Sequence, residues 1–505
     1  MRLSPLSEIR PYAAFLGFGF YWAWVTVVFY SDALAPGIVD ADGMVETVWL
    51  WATWAHAIAL LMHSALARKL PDLLENRLFR VGGSVGTALG TALLPLALLV
   101  FDSASQVRFV VVPVFAVVIG VASAWLVLQW AEKYASLARE RMIGLSLLSF
   151  ACGLLAYFLF MAFPAPIGTV TAVLLPLFSG ASMRFCRVDQ GGDLKREAFS
   201  VGRVANRALP SRFSTGLLLS TVAVFVFALC GEVLRAFSLQ LTDSGINDMG
   251  SLYLLGGLFG LVALTAYLFM PVGESGHRSI TLPLVRNVLI VMAVAFLLAP
   301  FLGGISLSAS YGIFGAGFWC FRAISWILCL LIVVRFDYLP VRAVGIMDGA
   351  FALSVVVSAQ LNSWLVETIK VGGTELTTVS LITVFVLMFI VVVVLNGRET
   401  GSVLRETVGD GAGEDESASA NRDGDTALCI NDIALEYGLS PRETEIALLL
   451  AKGRSLPFIQ NELYISAGTA QTHARHIYKK LDIHTRQEFL DIVEKKIAAE
   501  KEGNR

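Results

Sequence analysis

The strongest constraint on this chain is a series of twelve apolar stretches, at approximately 12–31, 46–66, 79–101, 108–130, 142–163, 167–186, 213–234, 250–270, 284–302, 308–334, 343–366 and 376–396. A helix needs roughly 20 apolar residues to cross about 30 Å of hydrocarbon, and a backbone surrounded by lipid must satisfy its own polar groups. The runs are continuous rather than alternating, which selects helices over barrel strands. An all-α fold follows, with a twelve-helix transmembrane bundle over 1–396. The chain is 56% hydrophobic and 15% charged over 505 residues, outside the range of ordinary soluble domains.

Orientation is read from the basic residues between the spans. With a cytoplasmic N-terminus, the inner segments up to Arg405 hold 22 Lys and Arg, whereas the outer loops hold only Arg108, Arg235 and Lys370. Positive charge stays on the cytoplasmic side, so both termini are expected in the cytoplasm of a cell (inner) membrane protein. Ala33-Leu34-Ala35 looks like a signal-peptidase site, but the apolar run before it is too long for a usual signal core, so no cleavage is expected.

Polar residues inside the spans are few. Arg322 lies mid-span, flanked by Trp319 and Trp326, with Glu232 and Asp348 as candidate acidic partners. A charge at membrane depth is costly and faces a partner or a cavity. His56 and His63 are two turns apart on one face, and Trp49 extends that stripe. These eight residues form the candidate ligand set for a small molecule. A structural ion pair and interior hydrogen bonding remain the competing readings. Gly82, Gly86 and Gly90 recur every four residues, a spacing for close helix packing.

A linker follows at 397–427. It carries seven acids and one Arg between Glu406 and Asp425, a composition expected to remain disordered. At about 30 Å, the reach of ~30 flexible residues would free the end of the chain from the membrane surface.

The remaining segment, 436–499, reads as four short helices. Ser440, Pro441 and Glu443 give a capped start with a reciprocal carboxylate, and Ile446, Leu449 and Leu450 give an inner face. Ser455 and Pro457 can start a second helix, with Ile459 and Leu463 facing inward. Ser466 caps a third, whose inner residues are Ala470, Ala474, Ile477 and Leu481. Its opposite face carries Gln471, Thr472, Arg475, His476 and Lys479. Thr485 and Glu488 start a fourth helix that buries Phe489, Ile492 and Val493. Two short helices joined by a tight turn, the second with a cationic face, form a helix-turn-helix suited to the major groove. Over 436–505, 11 basic residues stand against 10 acidic ones, so nonspecific DNA affinity is expected to be modest and salt-dependent.

The motifs L-S-P-R-E-x-E-I, A-K-G-x-S, L-x-I-S-x-x-T-x-x-T-H, K-K-L and T-R-Q-E make residues 439–493 resemble the helix-turn-helix of LuxR-type (GerE-like) regulators. The resemblance implies that the third helix enters the major groove and that two domains pair on double-stranded DNA. It sets Gln471, Thr472 and Arg475 toward bases and Ser466, Thr469, Lys479 and Lys480 near phosphates. Gln replaces the usual Lys at 471 and favours adenine. The six-plus-six layout of spans around the basic 187–212 connection resembles the major facilitator transporters. Here 67–77 lacks the glycines those proteins carry between their second and third spans.

No phosphate loop, paired nucleophile and base, or metal-ligand spacing occurs, so no enzyme, cofactor or metal is expected. The expected function is a membrane-bound transcriptional regulator that partners DNA, the lipid bilayer and a small ligand, and forms a homodimer on DNA. A transporter with a regulatory DNA-binding tail is the alternative.

Overall fold

The computed structural model describes residues 10–31, 44–67, 76–101, 106–186, 221–222, 224–231, 246–269, 271–272, 276–277, 282–298, 305–336, 338–368, 378, 381–382, 384–386, 429–430, 432–451, 459–460, 463, 466–483, 485, 488–489, 491–493 and 496. The chain divides into two compact units, Met1–Val408 and Gly409–Arg505. The expected linker at 397–427 lies outside the described residues.

In the first unit a 3-10 turn, Arg10–Leu16, leads into α1 (Gly17–Tyr30). The helices α2 (Met44–Leu66), α3 (Arg77–Val100), α4 (Gln106–Ala135), α5 (Arg139–Met161) and α6 (Ala165–Ser182) follow. After a partly described helical stretch at 221–231 come α7 (Ile246–Phe269), α8 (Leu282–Leu298), α9 (Ile305–Phe336) and α10 (Pro340–Thr368). Among the described residues, eight helical segments are long and apolar enough to cross a membrane. The polar and aromatic α2 and the 17-residue α8 are not among them. The expected last span, 376–396, is described only at a few helical positions. Among the described residues, a two-residue antiparallel pair, β1 (Pro271–Val272) with β2 (Gly276–His277), departs from all-α.

Packing joins the early helices to the late ones. Within the first half α3 and α2 pack on α4, and α1 packs on α5 and α6; α9 lies against α7 and α8. Across the halves, α2 packs on α10 and α5 on α7. The expected glycine stripe serves this packing: a Cβ on Gly86 would lie 2.9 Å from Ala122 Cβ, and one on Gly90 2.5 Å from Ile119 Cγ1. The backbones of α3 and α4 approach closely only because these positions have no side chain. The interior is aromatic. Trp22 stacks on Phe150 with centroids 4.5 Å apart, and Phe18 on Trp326 at 4.9 Å.

The second unit has its own apolar core of Ile430, Ile433, Ile446, Leu450, Ile459, Ile477, Phe489 and Val493, among others. Its continuous helices are α11 (Pro441–Ala451) and α12 (Ala467–Lys480). Helical residues at 459–460 and 463, and at 488–489 and 491–493, fall where the second and fourth helices are expected. A helical segment at 432–437, outside the four expected helices, precedes Gly438, whose φ of +64° needs the freedom of glycine.

Candidate functional site

The exposed face of α12 is one candidate site. The Ser466 hydroxyl caps this helix by accepting from Thr469 N–H at 3.2 Å, and the Thr472 hydroxyl donates to Gly468 O at 2.7 Å. Ala474, Ile477 and Leu481 are buried, which turns Ser466, Thr469, Gln471, Thr472, Arg475, His476 and Lys479 outward. The helix ends in two tail hydrogen bonds, Ile483 N–H to Tyr478 O at 2.9 Å and Asp482 N–H to Lys479 O at 3.4 Å. Asp482 stands at φ +54°, where glycine is usual.

Glu443 braces this helix from behind. Its carboxylate accepts from Ser440 N–H at 2.8 Å while the Ser440 hydroxyl accepts from Glu443 N–H at 3.3 Å, the reciprocal cap that starts α11. The same carboxylate takes the Lys480 ammonium at 2.7 Å, and His476 Nδ1 lies 3.7 Å away. Lys480 also donates to Gly438 O at 2.7 Å. Two donors of Lys480 are therefore turned into the domain, whereas Arg475 and Lys479 stand exposed at the surface. Burial pushes the Glu443 carboxyl up, but hydrogen bonds from Lys480 and from the backbone N–H and hydroxyl of Ser440 outweigh it and hold it at about 2.

The second candidate is a cavity of about 120 Å³ in the membrane unit. Its walls come from both halves: Tyr21, Trp22, Trp24, Val25, Phe29 and Tyr30 of α1, Trp49, Ala52, Thr53 and His56 of α2, Ile119, Gly120 and Ser123 of α4, Arg322 of α9, and Asp348, Phe351, Ala352 and Val355 of α10. Gly120 sets the wall between α2 and α4, since a Cβ there would collide with Ala52 O and lie 2.9 Å from His56 N.

Arg322 and Asp348 are 5% and 3% exposed, and their charges meet at 2.8 Å between Nη2 and Oδ1. The contact is close but poorly aligned, and Oδ1 takes no hydrogen bond from it among the described residues. Arg322 Nε and Nη1 likewise have no hydrogen-bond partner there. The guanidinium instead lies 4.7 Å from the Phe351 ring and 5.3 Å from the Trp22 ring. His56 Nδ1 lies 2.8 Å from Ser123 Oγ and 3.3 Å from Gly120 O. The Ser123 hydroxyl itself donates to Gly120 O at 3.0 Å, so it accepts from His56. This places a proton on Nδ1.

Of the residues expected at a ligand site, Trp49, His56, Arg322 and Asp348 meet on this cavity. Between the two candidate partners, Asp348 is the one beside Arg322; Glu232 lies outside the described residues. Trp319 and Trp326 are buried in the aromatic core away from the wall, and His63 packs on Phe79 and Trp125 with Nδ1 2.6 Å from Ala59 O. The α1 aromatics on this wall lie outside the expected set. Their signal is the run Tyr21-Trp22-Ala23-Trp24, with three large aromatics in four residues of the first span.

Residues 438–493 match the GerE family, described as bacterial regulatory proteins, luxR family. The second unit therefore carries a LuxR-type helix-turn-helix DNA-binding domain. Comparison with curated proteins returns no match. Among solved structures, the chain is similar to a bacterial homologue of the iron transporter ferroportin, outward-facing and soaked with iron. That similarity has 14% identity and a TM-score of 0.53, and covers 76% of this chain and 98% of the other. The same homologue, outward-facing in a second structure, gives 14% identity and 0.52 over 76% and 98%. At such identities the likeness concerns the fold alone, and the apolar unit shares the fold of that homologue. The major facilitator transporter FucP, in the outward conformation, is similar at 11% identity and a TM-score of 0.48 over 77% and 99% of the two chains, too slight to carry an argument.

Proposed function

We propose that this chain is a membrane-embedded one-component transcription regulator, in which a small molecule bound among the spans changes how two C-terminal domains pair on DNA. The observation that carries the reading is the joining, in one chain, of a LuxR-type domain to a transporter-fold unit with a cavity walled by both of its halves. Domain limits of 1–396, 397–427 and 436–499 are part of the proposal, as are an inner-membrane location with both termini cytoplasmic and a homodimer on DNA. The bias of Lys and Arg between the spans supports the orientation.

On DNA, Gln471, Thr472 and Arg475 would face base edges, and Ser466, Thr469 and Lys479 would face phosphates. Lys480 and His476 would act mainly through Glu443, by fixing the tilt of the reading helix. A tethered second domain raises the effective concentration of its partner, so ligand control of pairing needs no rigid lever through the linker.

Genome-wide DNA occupancy of the intact protein, compared with an Arg475→Ala, Lys479→Ala variant at equal expression, tests this reading. Discrete peaks lost in the variant are expected. An absence of peaks for the intact protein across growth conditions would refute it. The transporter fold and the charged pair on the cavity favour a second reading, a carrier with a regulatory tail. Uptake of a bound compound into vesicles separates the two.

A further inference from the structure

We infer that the cavity takes a molecule of one aromatic ring with no net charge, bearing one group that accepts from Arg322 and one that donates to Asp348. The inference rests on the reading of this cavity as a ligand site and names the chemistry of its guest.

Size comes first. A cavity of about 120 Å³ compares with the ~150 Å³ apolar cavity that holds one benzene ring. The wall around it is rich in aromatics, with Tyr21, Trp22, Trp24, Phe29, Trp49 and Phe351 among its lining residues. Such walls favour a flat apolar body.

Charge decides the rest. Arg322 and Asp348 cancel, so the ion pair on this cavity sums to zero charge. A guest with a net charge would add an uncompensated ion to a low-dielectric site, which is costly. The pair nevertheless leaves hydrogen-bonding capacity on both sides: among the described residues, Arg322 Nε and Nη1 have no acceptor, and Asp348 Oδ1, 2.8 Å from Arg322 Nη2, takes no aligned hydrogen bond. Both side chains are more than nine-tenths buried and line the cavity. A carboxylate would satisfy only the arginine, and an amine only the aspartate. An uncharged amide, or a similar group with donor and acceptor side by side, satisfies both.

The test uses purified full-length protein in lipid nanodiscs, with binding read from tryptophan fluorescence and thermal unfolding. The probes are benzamide, benzoate, benzylamine and toluene, which share one ring and differ in charge and hydrogen bonding. Benzamide is expected to bind at least tenfold more tightly than each of the other three. Asp348→Asn leaves Arg322 unneutralised and should shift preference at least tenfold toward benzoate; Arg322→Gln should shift it toward benzylamine. A wild-type preference for benzoate or benzylamine, benzamide no tighter than toluene, or an unchanged benzoate-to-benzamide ratio in a folded Asp348→Asn protein would overturn the inference. If the variants do not fold, the wild-type order decides alone. Failure of DNA occupancy would not alter these ratios, and failure of the ratios would not abolish occupancy.

Discussion

Replacing Glu443 by Gln isolates the contribution of one carboxylate that both starts α11 and holds the end of α12. Glutamine keeps the shape and the acceptor for Ser440 N–H but removes the charge facing Lys480. The carboxyl is held at about 2 against an ordinary 4.5, a gap worth about 3 kcal/mol at 1.36 kcal/mol per unit. Part of that gap comes from the Ser440 hydrogen bonds, whose N–H acceptor glutamine keeps, and Lys480 is 37% exposed to screening solvent, so the figure for the lost charge falls to about 2 kcal/mol. The sign follows from the depressed value: the contribution is complete above pH 4.5 and is lost as pH falls toward 2. Hydrogen exchange on the detergent-solubilised full-length protein, followed in peptides covering α11 and α12, reads it directly. At pH 7 the variant should open about 30-fold more often, since 1.4 kcal/mol is a factor of ten. After correction for intrinsic rates, the difference between wild type and variant should vanish as the pH approaches 2. Equal protection at pH 7, or a variant that keeps the wild-type acid dependence, would refute this account of Glu443.

Asp482→Gly should stabilise the end of α12 by about 1 kcal/mol, because glycine adopts the left-handed backbone at φ +54° without penalty; slower exchange in α12 checks it. Gly120→Ala should cost about 1–3 kcal/mol by forcing α4 away from Ala52 and His56, seen as a lower unfolding temperature of the membrane unit. Gln471→Lys should move base preference from adenine toward guanine at one operator position, which in vitro selection of bound sequences would detect.

Much of the second unit was legible because its signals are local. The Ser440–Glu443 cap and the buried spacing of Ala474, Ile477 and Leu481 depend on residues a few positions apart. The helix at 432–437 is less legible, because it is only six residues long and its signal is little more than Ile430 and Ile433, three residues apart and both buried. Lys480 reads as a surface cation in sequence; only the approach of α11 reveals the carboxylate behind it. In the membrane unit, a charge is conspicuous against apolar neighbours, so Arg322 and Asp348 could be singled out. The aromatics of α1 could not be assigned a face, since a helix that is apolar all round carries no stripe to orient it. The inward placement of Trp22 and Trp24, and the outward turn of Phe20, is decided by neighbouring helices rather than by spacing.

The occurrence of both units on one polypeptide reverses the usual search for a binding site. A soluble regulator travels to its promoter; a reader chained to the bilayer waits until thermal motion of the chromosome brings the promoter within reach. Occupancy then depends on where a gene lies and how freely its locus moves, as well as on base contacts. Moving an identical operator to a locus that seldom visits the cell periphery should lower expression control without any change in affinity measured on short DNA.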